Sequence, residues 1–165
     1  MADAGSRPVR LERDETPAER VDRNFQELLQ ELRVVQTGVQ ILFAFLLTIA
    51  FTTQFQRASM FQELVYVGTL LLAACATGLL IAPAAIHRLV FRMGFKAELV
   101  MIGNKLAMAG LACLLLAMTG ALLLVVDWTW GRAPALAAAA FALVWFTAFW
   151  YLLPMSLRRR GRRRV

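Results

Sequence analysis

The chain has 165 residues, of which 59% are hydrophobic and 18% charged, and its formal net charge is +7. A soluble domain is roughly 45–50% hydrophobic and about 25% charged. This composition excludes an ordinary soluble globular domain and indicates that most of the chain lies in a lipid bilayer.

Four stretches of the chain carry no Asp, Glu, Lys or Arg. A helix needs about 20 apolar residues to cross the hydrocarbon core of a bilayer. Inside that core every backbone amide must be bonded within its own segment, which favours helices. We therefore predict an all-α fold, an integral membrane bundle of four transmembrane helices within residues 34–157. The predicted spans are residues 34–53, 64–86, 106–126 and 133–157.

The number of Lys and Arg residues alternates between high and low from one segment outside the spans to the next. All but two of the 18 Lys and Arg residues lie before the first span, between the second and third, or after the fourth. The two exceptions, Arg57 and Arg132, lie in the other two connections. Because positively charged segments stay in the cytoplasm, we expect a multi-pass plasma-membrane protein with both termini cytoplasmic. The basic tail, residues 158–165, suits anionic lipid, whereas nucleic-acid binding is only weakly indicated.

The region before the first span divides into two parts. Residues 1–15 are polar and without periodicity, so we expect a disordered tail. Thr16, Pro17 and Glu19 then form a capping box, which predicts the start of an amphipathic cytoplasmic helix over residues 16–33. Its apolar stripe can lie in the membrane interface, pack on the bundle or pair with a partner's helix. The stripe consists of Val21, Phe25, Leu28, Leu29 and Leu32.

The first span is the most polar of the four. Gln36, Thr37 and Gln40 lie on one side of it, near its cytoplasmic end. These side chains can line a polar pathway, or they can form hydrogen bonds to neighbouring helices. The sequence favours the packing interpretation.

A basic group lies between the second and third spans. It consists of His87, Arg88, Arg92 and Lys96. This group can contact an anionic lipid head group or a phosphorylated ligand. The simpler interpretation is that its charge only sets the topology.

Small residues recur at every fourth position of the second and third spans. Small side chains let two membrane helices approach closely, so we expect these two helices to pack as a tight hairpin. The residues are Ala74, Gly78 and Ala82 in the second span and Ala109, Cys113, Ala117 and Ala121 in the third.

No motif of the sequence indicates catalysis, a cofactor or a metal. There is no nucleophile–base pair, no metal-ligand cluster and no phosphate-binding glycine loop. Cys75 and Cys113 lie in the middle of spans without partners at ligand spacing. We therefore expect a protein that is not an enzyme.

Three segments resemble a family of small actinobacterial membrane proteins of unknown function. They are ETPAERVDRNFQELLQELRVVQTGVQILFAFLLTIAF, LLIAPAAIHRLVFR and KAELVMIGNKLAMAGLA, and the resemblance extends from about Glu15 to Pro154. It implies four membrane helices in a bacterial inner membrane, but no activity and no site residues. Some relatives that the chain resembles carry a sodium/proton antiporter label.

Two functions remain at this point. The first is a non-enzymatic scaffold, interaction or regulatory subunit, whose partners are the bilayer, anionic lipid at the cytoplasmic face, and a second copy or another membrane protein. The alternative is a small secondary transporter, antiporter-like and dimeric, because four helices enclose little space.

Overall fold

The computed structural model describes residues 17–90 and 96–162. Within these ranges the chain is all-helical, and four helices are long and apolar enough to cross a membrane. The predicted fold class is therefore confirmed. The predicted disordered tail, the cap at Thr16, Arg92 and the last three residues of the basic tail lie outside the described residues.

Five α-helices make up the described chain. They are α1 (Pro17–Ile49), α2 (Met60–Val90), α3 (Lys96–Trp130), α4 (Arg132–Thr147) and α5 (Leu153–Arg162). A short 3₁₀-helix, Phe55–Arg57, lies between α1 and α2, and a π-helical turn, Ala148–Leu152, joins α4 to α5. The segments able to span a membrane are Arg23–Ile49, Met60–Ile86, Val100–Trp130 and Arg132–Leu157.

The helix boundaries follow from local chemistry. At the start of α2 the Ser59 backbone N–H donates to the Gln62 side chain at 2.9 Å, and the Gln62 N–H donates to the Ser59 hydroxyl at 3.4 Å. This reciprocal pair is a capping box. Between α3 and α4 the chain reverses at Gly131, whose φ of 87° is one that residues with a side chain rarely adopt. The connection of residues 50–59 and Gly131 lie at the same end of the bundle, which we call the Gly131 end. Pro17 and Arg162 lie at the opposite, terminal end.

Buried positions recur with a period of 3.5 residues. Along α1, Phe25, Leu32, Val39 and Leu46 are buried at intervals of seven. This period is typical of left-handed helix packing, in which one seam of each helix stays against its neighbours. The seam of α2 alternates between steps of three and four, through Tyr66, Thr69, Ala73, Ala76, Leu80 and Pro83.

The predicted hairpin of α2 and α3 is confirmed, since these two helices make the most extensive contact in the bundle. The small residues predicted to form it are only partly correct. Ala117 is fully buried, but Ala74 and Ala109 are exposed, and a Cβ built on Gly78 meets no atom within 4 Å. A ridge of every fourth residue winds away from a seam with a period of 3.5, so the prediction selected the wrong face of α2.

The amphipathic segment continues into the first span as a single helix, α1. Its apolar stripe packs on the bundle. Phe25 is only 4% exposed, and a Cβ built on Gly103 would lie 3.4 Å from Phe25 Cε2 and 3.5 Å from Leu28 Cδ2. Of the three surfaces that the sequence left open for this stripe, the bundle itself therefore covers at least Phe25 and Leu28.

Candidate functional site

The outer surface of α1 carries two strips of different chemistry. The first, which we call the apolar strip, consists of Val34, Ile41 and Phe45, which are 74%, 54% and 67% exposed. The second, the polar strip, lies on the side of α1 nearer to α2. Its residues, both exposed, are Gln40 and Ala44, and the exposed Thr37 and Thr48 lie at its border with the apolar strip. An apolar strip suits contact with lipid, whereas small and polar residues are typical of helix–helix contacts in membranes.

Gln40 is the unusual member of the polar strip. It lies nine residues before the end of α1, which is roughly 13 Å along the helix axis, within the segment Arg23–Ile49 that is able to span a membrane. The hydroxyls of Thr37 and Thr48 are satisfied within α1, because they donate to the carbonyls of Arg33 and Ala44 at 3.1 and 2.9 Å. The Gln40 amide has no hydrogen-bond partner among the described residues.

Gln36 lies on the inner side of the same helix. Its Nε2 donates a 2.7 Å hydrogen bond to the carbonyl oxygen of Leu80, in the turn of α2 before the buried Pro83. The structure therefore separates the three residues predicted as a polar lining. Gln36 joins α1 to α2, while Thr37 and Gln40 face outward.

A lateral groove opens between α1, α3 and the π-helical turn. Both α1 and α4 pack on α3, and α1 packs on α2 as well. The groove encloses a cavity of about 590 Å³. The residues that line it come from α1, α3 and the π-helical turn, and are Val35, Gly38, Leu42, Leu111, Leu114, Met118 and Trp150. The lining is apolar, and neither Gln36 nor Gln40 belongs to it.

A polar cluster around the buried Asp127, at the Gly131 end, was not predicted from the sequence. The Asp127 carboxylate accepts hydrogen bonds from Gln62 Nε2 at 2.6 Å and from Arg132 Nε and Nη2 at 2.8 and 3.4 Å. Asp127 is only 8% exposed, and the Arg132 guanidinium carbon lies 3.5 Å from the ring centroid of Phe61. These contacts hold an ionised carboxylate and join the adjoining ends of α2, α3 and α4. The clue in the sequence was an Asp and an Arg five residues apart on either side of a helix-breaking Gly131.

The predicted basic group lies at the end of α2 and the beginning of α3. His87 falls in the last turn of α2 and Lys96 begins α3. Arg88 is exposed, and Arg92 lies outside the described residues. Other exposed basic side chains in the terminal half of the bundle are Arg20, Arg33, Lys105 and Arg159.

No metal-ligating cluster occurs in the described ranges, where no three His, Cys, Asp or Glu side chains gather to hold an ion. Cys75 is exposed and Cys113 is partly buried, and both are free thiols.

Four apolar helices with a buried, coiled-coil-like seam define a multi-pass membrane protein. The comparisons with known proteins agree with that class. A family described as a family of unknown function, DUF6328, matches residues 14–154, and the chain belongs to this family. The resemblance to an uncharacterised family is thereby confirmed. No curated protein and no solved structure matches the chain.

Proposed function

We propose that this protein is a non-enzymatic interaction subunit of the bacterial inner membrane, and that it binds another transmembrane helix through the polar strip of α1. The observation that carries this proposal is the Gln40 amide, which faces outward at membrane depth without a partner in the described chain. A polar group left unbonded in hydrocarbon costs several kcal/mol. A partner helix removes that cost, and the small neighbours Ala44 and Thr37 allow it to approach closely.

Photocrosslinking in native membranes tests the proposal. A photoreactive residue replaces Gln40 in one variant and Phe45 in the control, because Phe45 is exposed on the apolar strip. We expect a protein adduct from position 40 and only lipid adducts from position 45. Equal yields of protein adduct, or none from either position, would contradict the proposal.

We further propose that the terminal end lies in the cytoplasm and contacts anionic lipid. The support is the charge distribution, since Arg57 and Arg132 are the only Lys or Arg residues of the two connections at the Gly131 end. A reporter that is active only outside the membrane should respond when fused near Ser59 or Gly131, and stay silent after Val165 or near Gly94. Activity at Gly94 would refute this orientation.

A further inference from the structure

We propose that the crevice between α1 and α3 binds an amphipathic organic cation, whose apolar body fills the lateral groove and whose positive charge lies beside Glu31. This site is separate from the polar strip of α1, and it does not depend on the proposed interaction subunit. Two cavities that adjoin along the same pair of helices carry the inference. The first is the apolar groove of about 590 Å³, and the second is a polar pocket of about 390 Å³.

The polar pocket continues the groove towards the terminal end of the bundle. Its polar lining comes from both helices and consists of Asn24, Glu27, Glu31 and Asn104. On α1, Glu31 lies one turn before Val35, which lines the groove. On α3, Asn104 lies two turns before Leu111, which also lines the groove. Residues one turn apart share a helix face, so the two cavities form one crevice with a polar end and an apolar end.

The apolar end of the crevice has room for a ligand. A Cβ built on Gly38 meets no atom within 4 Å, so this residue leaves open space in the wall of the groove. Trp150 supplies an aromatic surface on the opposite side, from the π-helical turn. The volume lies within the roughly 300–1,000 Å³ that is typical of small-molecule sites. An alkyl or aromatic body placed there gains dispersion contacts with the apolar lining.

The polar end determines the sign of the charge that fits. Two carboxylates, Glu27 and Glu31, line the pocket, and no Lys or Arg of the described chain does. Glu27 forms an ion pair with Arg23, at 3.7 Å. Glu31 is exposed and has no ion pair in the described ranges. A positive charge beside Glu31, at the edge of an apolar groove, is therefore attracted more strongly than it would be in water.

The order of the two ends favours an alkylammonium over a phospholipid. A phospholipid with one acyl chain in the groove would place its phosphate, the first charged group after the apolar body, next to Glu31. Two negative charges at that distance repel each other. An ammonium attached directly to an alkyl chain instead brings opposite charges together. Its N–H groups can also donate to the amide oxygens of Asn24 and Asn104.

Equilibrium binding to the protein in nanodiscs of zwitterionic lipid tests the site, with empty nanodiscs as the reference. The probes are dodecylammonium and dodecyl sulfate, which have the same chain and opposite charge. We expect saturable binding of the ammonium above the lipid background and no such binding of the sulfate. Equal binding of the two probes would overturn the proposal, because the groove would then accept any alkyl chain.

A pair of charge variants tests the position of the cation. Glu31→Gln removes the carboxylate of the pocket, whereas the control, Glu63→Gln, removes an exposed carboxylate at the Gly131 end. We expect Glu31→Gln to bind dodecylammonium about fivefold more weakly, the upper end for an exposed charge pair. Glu63→Gln should bind it as the native protein does. Unchanged affinity in Glu31→Gln would refute the placement of the charge.

A pair of glycine variants tests the position of the apolar body. A Cβ built on Gly38 or on Gly68 meets nothing within 4 Å, so both positions have space for a side chain. Only Gly38 lines the groove. We expect Gly38→Leu to abolish the saturable binding of dodecylammonium and Gly68→Leu to preserve it, while thermal unfolding shows that both variants are folded. Native affinity in a folded Gly38→Leu variant would exclude the groove as the site.

Discussion

The side-chain amide of Gln62 joins the first turn of α2 to the last turn of α3. Its Nε2 lies 2.6 Å from Oδ2 of Asp127, a residue 65 positions away in the chain. The oxygen of the same amide accepts the Ser59 backbone N–H at 2.9 Å. One side chain therefore caps a helix and holds its neighbour, which fixes the register of the two helices at the Gly131 end.

Removal of this contact should destabilise the bundle. We expect Asp127→Asn to lower the free energy of unfolding by about 1–3 kcal/mol, because the hydrogen bonds from Gln62 and Arg132 lose their charged acceptor. Gln62→Leu should cost about 1 kcal/mol. Thermal unfolding in detergent measures both, and Arg57→Gln, an exposed cation at the same end, serves as the control.

The double variant gives a sharper result. Gln62→Leu removes the donor of this contact and Asp127→Asn removes the charge that strengthens it, so their combined cost should be smaller than the sum of the two. An additive result would show that the two residues stabilise the bundle independently.

Two glycines offer a matched test of the seam between α2 and α3. A Cβ built on Gly110 would lie 2.8 Å from Cγ of Leu80, whereas one built on Gly78 meets nothing within 4 Å. Both glycines are inside helices, so Ala brings each the same gain in helix propensity, up to about 1 kcal/mol. We expect Gly110→Ala to be destabilising by roughly 1–3 kcal/mol through overpacking, and Gly78→Ala to be neutral or stabilising. Equal melting temperatures of the two variants would contradict this seam.

The number of membrane helices could be predicted from the sequence, but the face that each helix buries could not. Four uncharged stretches suffice to predict four helices, because the length that crosses a bilayer is fixed. The face that each helix buries is harder to predict in a chain that is apolar all round. Leu71 is exposed and Leu80 is buried, yet the two have identical hydropathy, so only the alternation of steps of three and four identifies the seam.

Contacts between residues distant in the sequence could not be predicted for a different reason. Asp127 and Gln62 each suit a helix end by themselves, and nothing local shows that they meet. Gln36 and Gln40, four residues apart, looked like one polar side. The structure places the first, which is half-buried, against Leu80 and the second, which is exposed, on the outer surface.

The burial of Phe25 predicts how the first part of α1 responds to proteases. Phe25→Asp puts a charge against Gly103 and Leu28, and truncation of a buried Phe alone typically costs about 3–5 kcal/mol. We expect trypsin to cleave residues 20–33 at least tenfold faster in this variant than in the native protein in lipid nanodiscs. Gln26→Asp is the control, since Gln26 is exposed. Equal cleavage of native protein and Phe25→Asp would show that the packing seen here does not protect the segment.

The last prediction is that this chain alone does not couple transport to protons or sodium. Coupling requires a group that changes charge, or a carboxylate, within the translocation path. In the described chain the acidic side chains lie at the ends of the spans or, like Glu27 and Glu31, in the first third of the segment Arg23–Ile49. Glu63 is exposed in the first turn of α2, and Asp127 is already held by Arg132 and Gln62. Gln36 donates to Leu80 rather than lining a path, and a neutral amide cannot carry a proton cycle.

Purified protein in liposomes, with an imposed pH gradient and a sodium jump, should show no more flux than empty vesicles. Asp127→Asn and Glu63→Gln are the informative variants, because these two carboxylates are the ones nearest to the membrane at the Gly131 end. Coupled flux in the native protein that disappears in either variant would overturn this prediction. It would mean that the cluster at Asp127 opens during transport, so that a contact interpreted here as structural would instead be one state of a transport cycle.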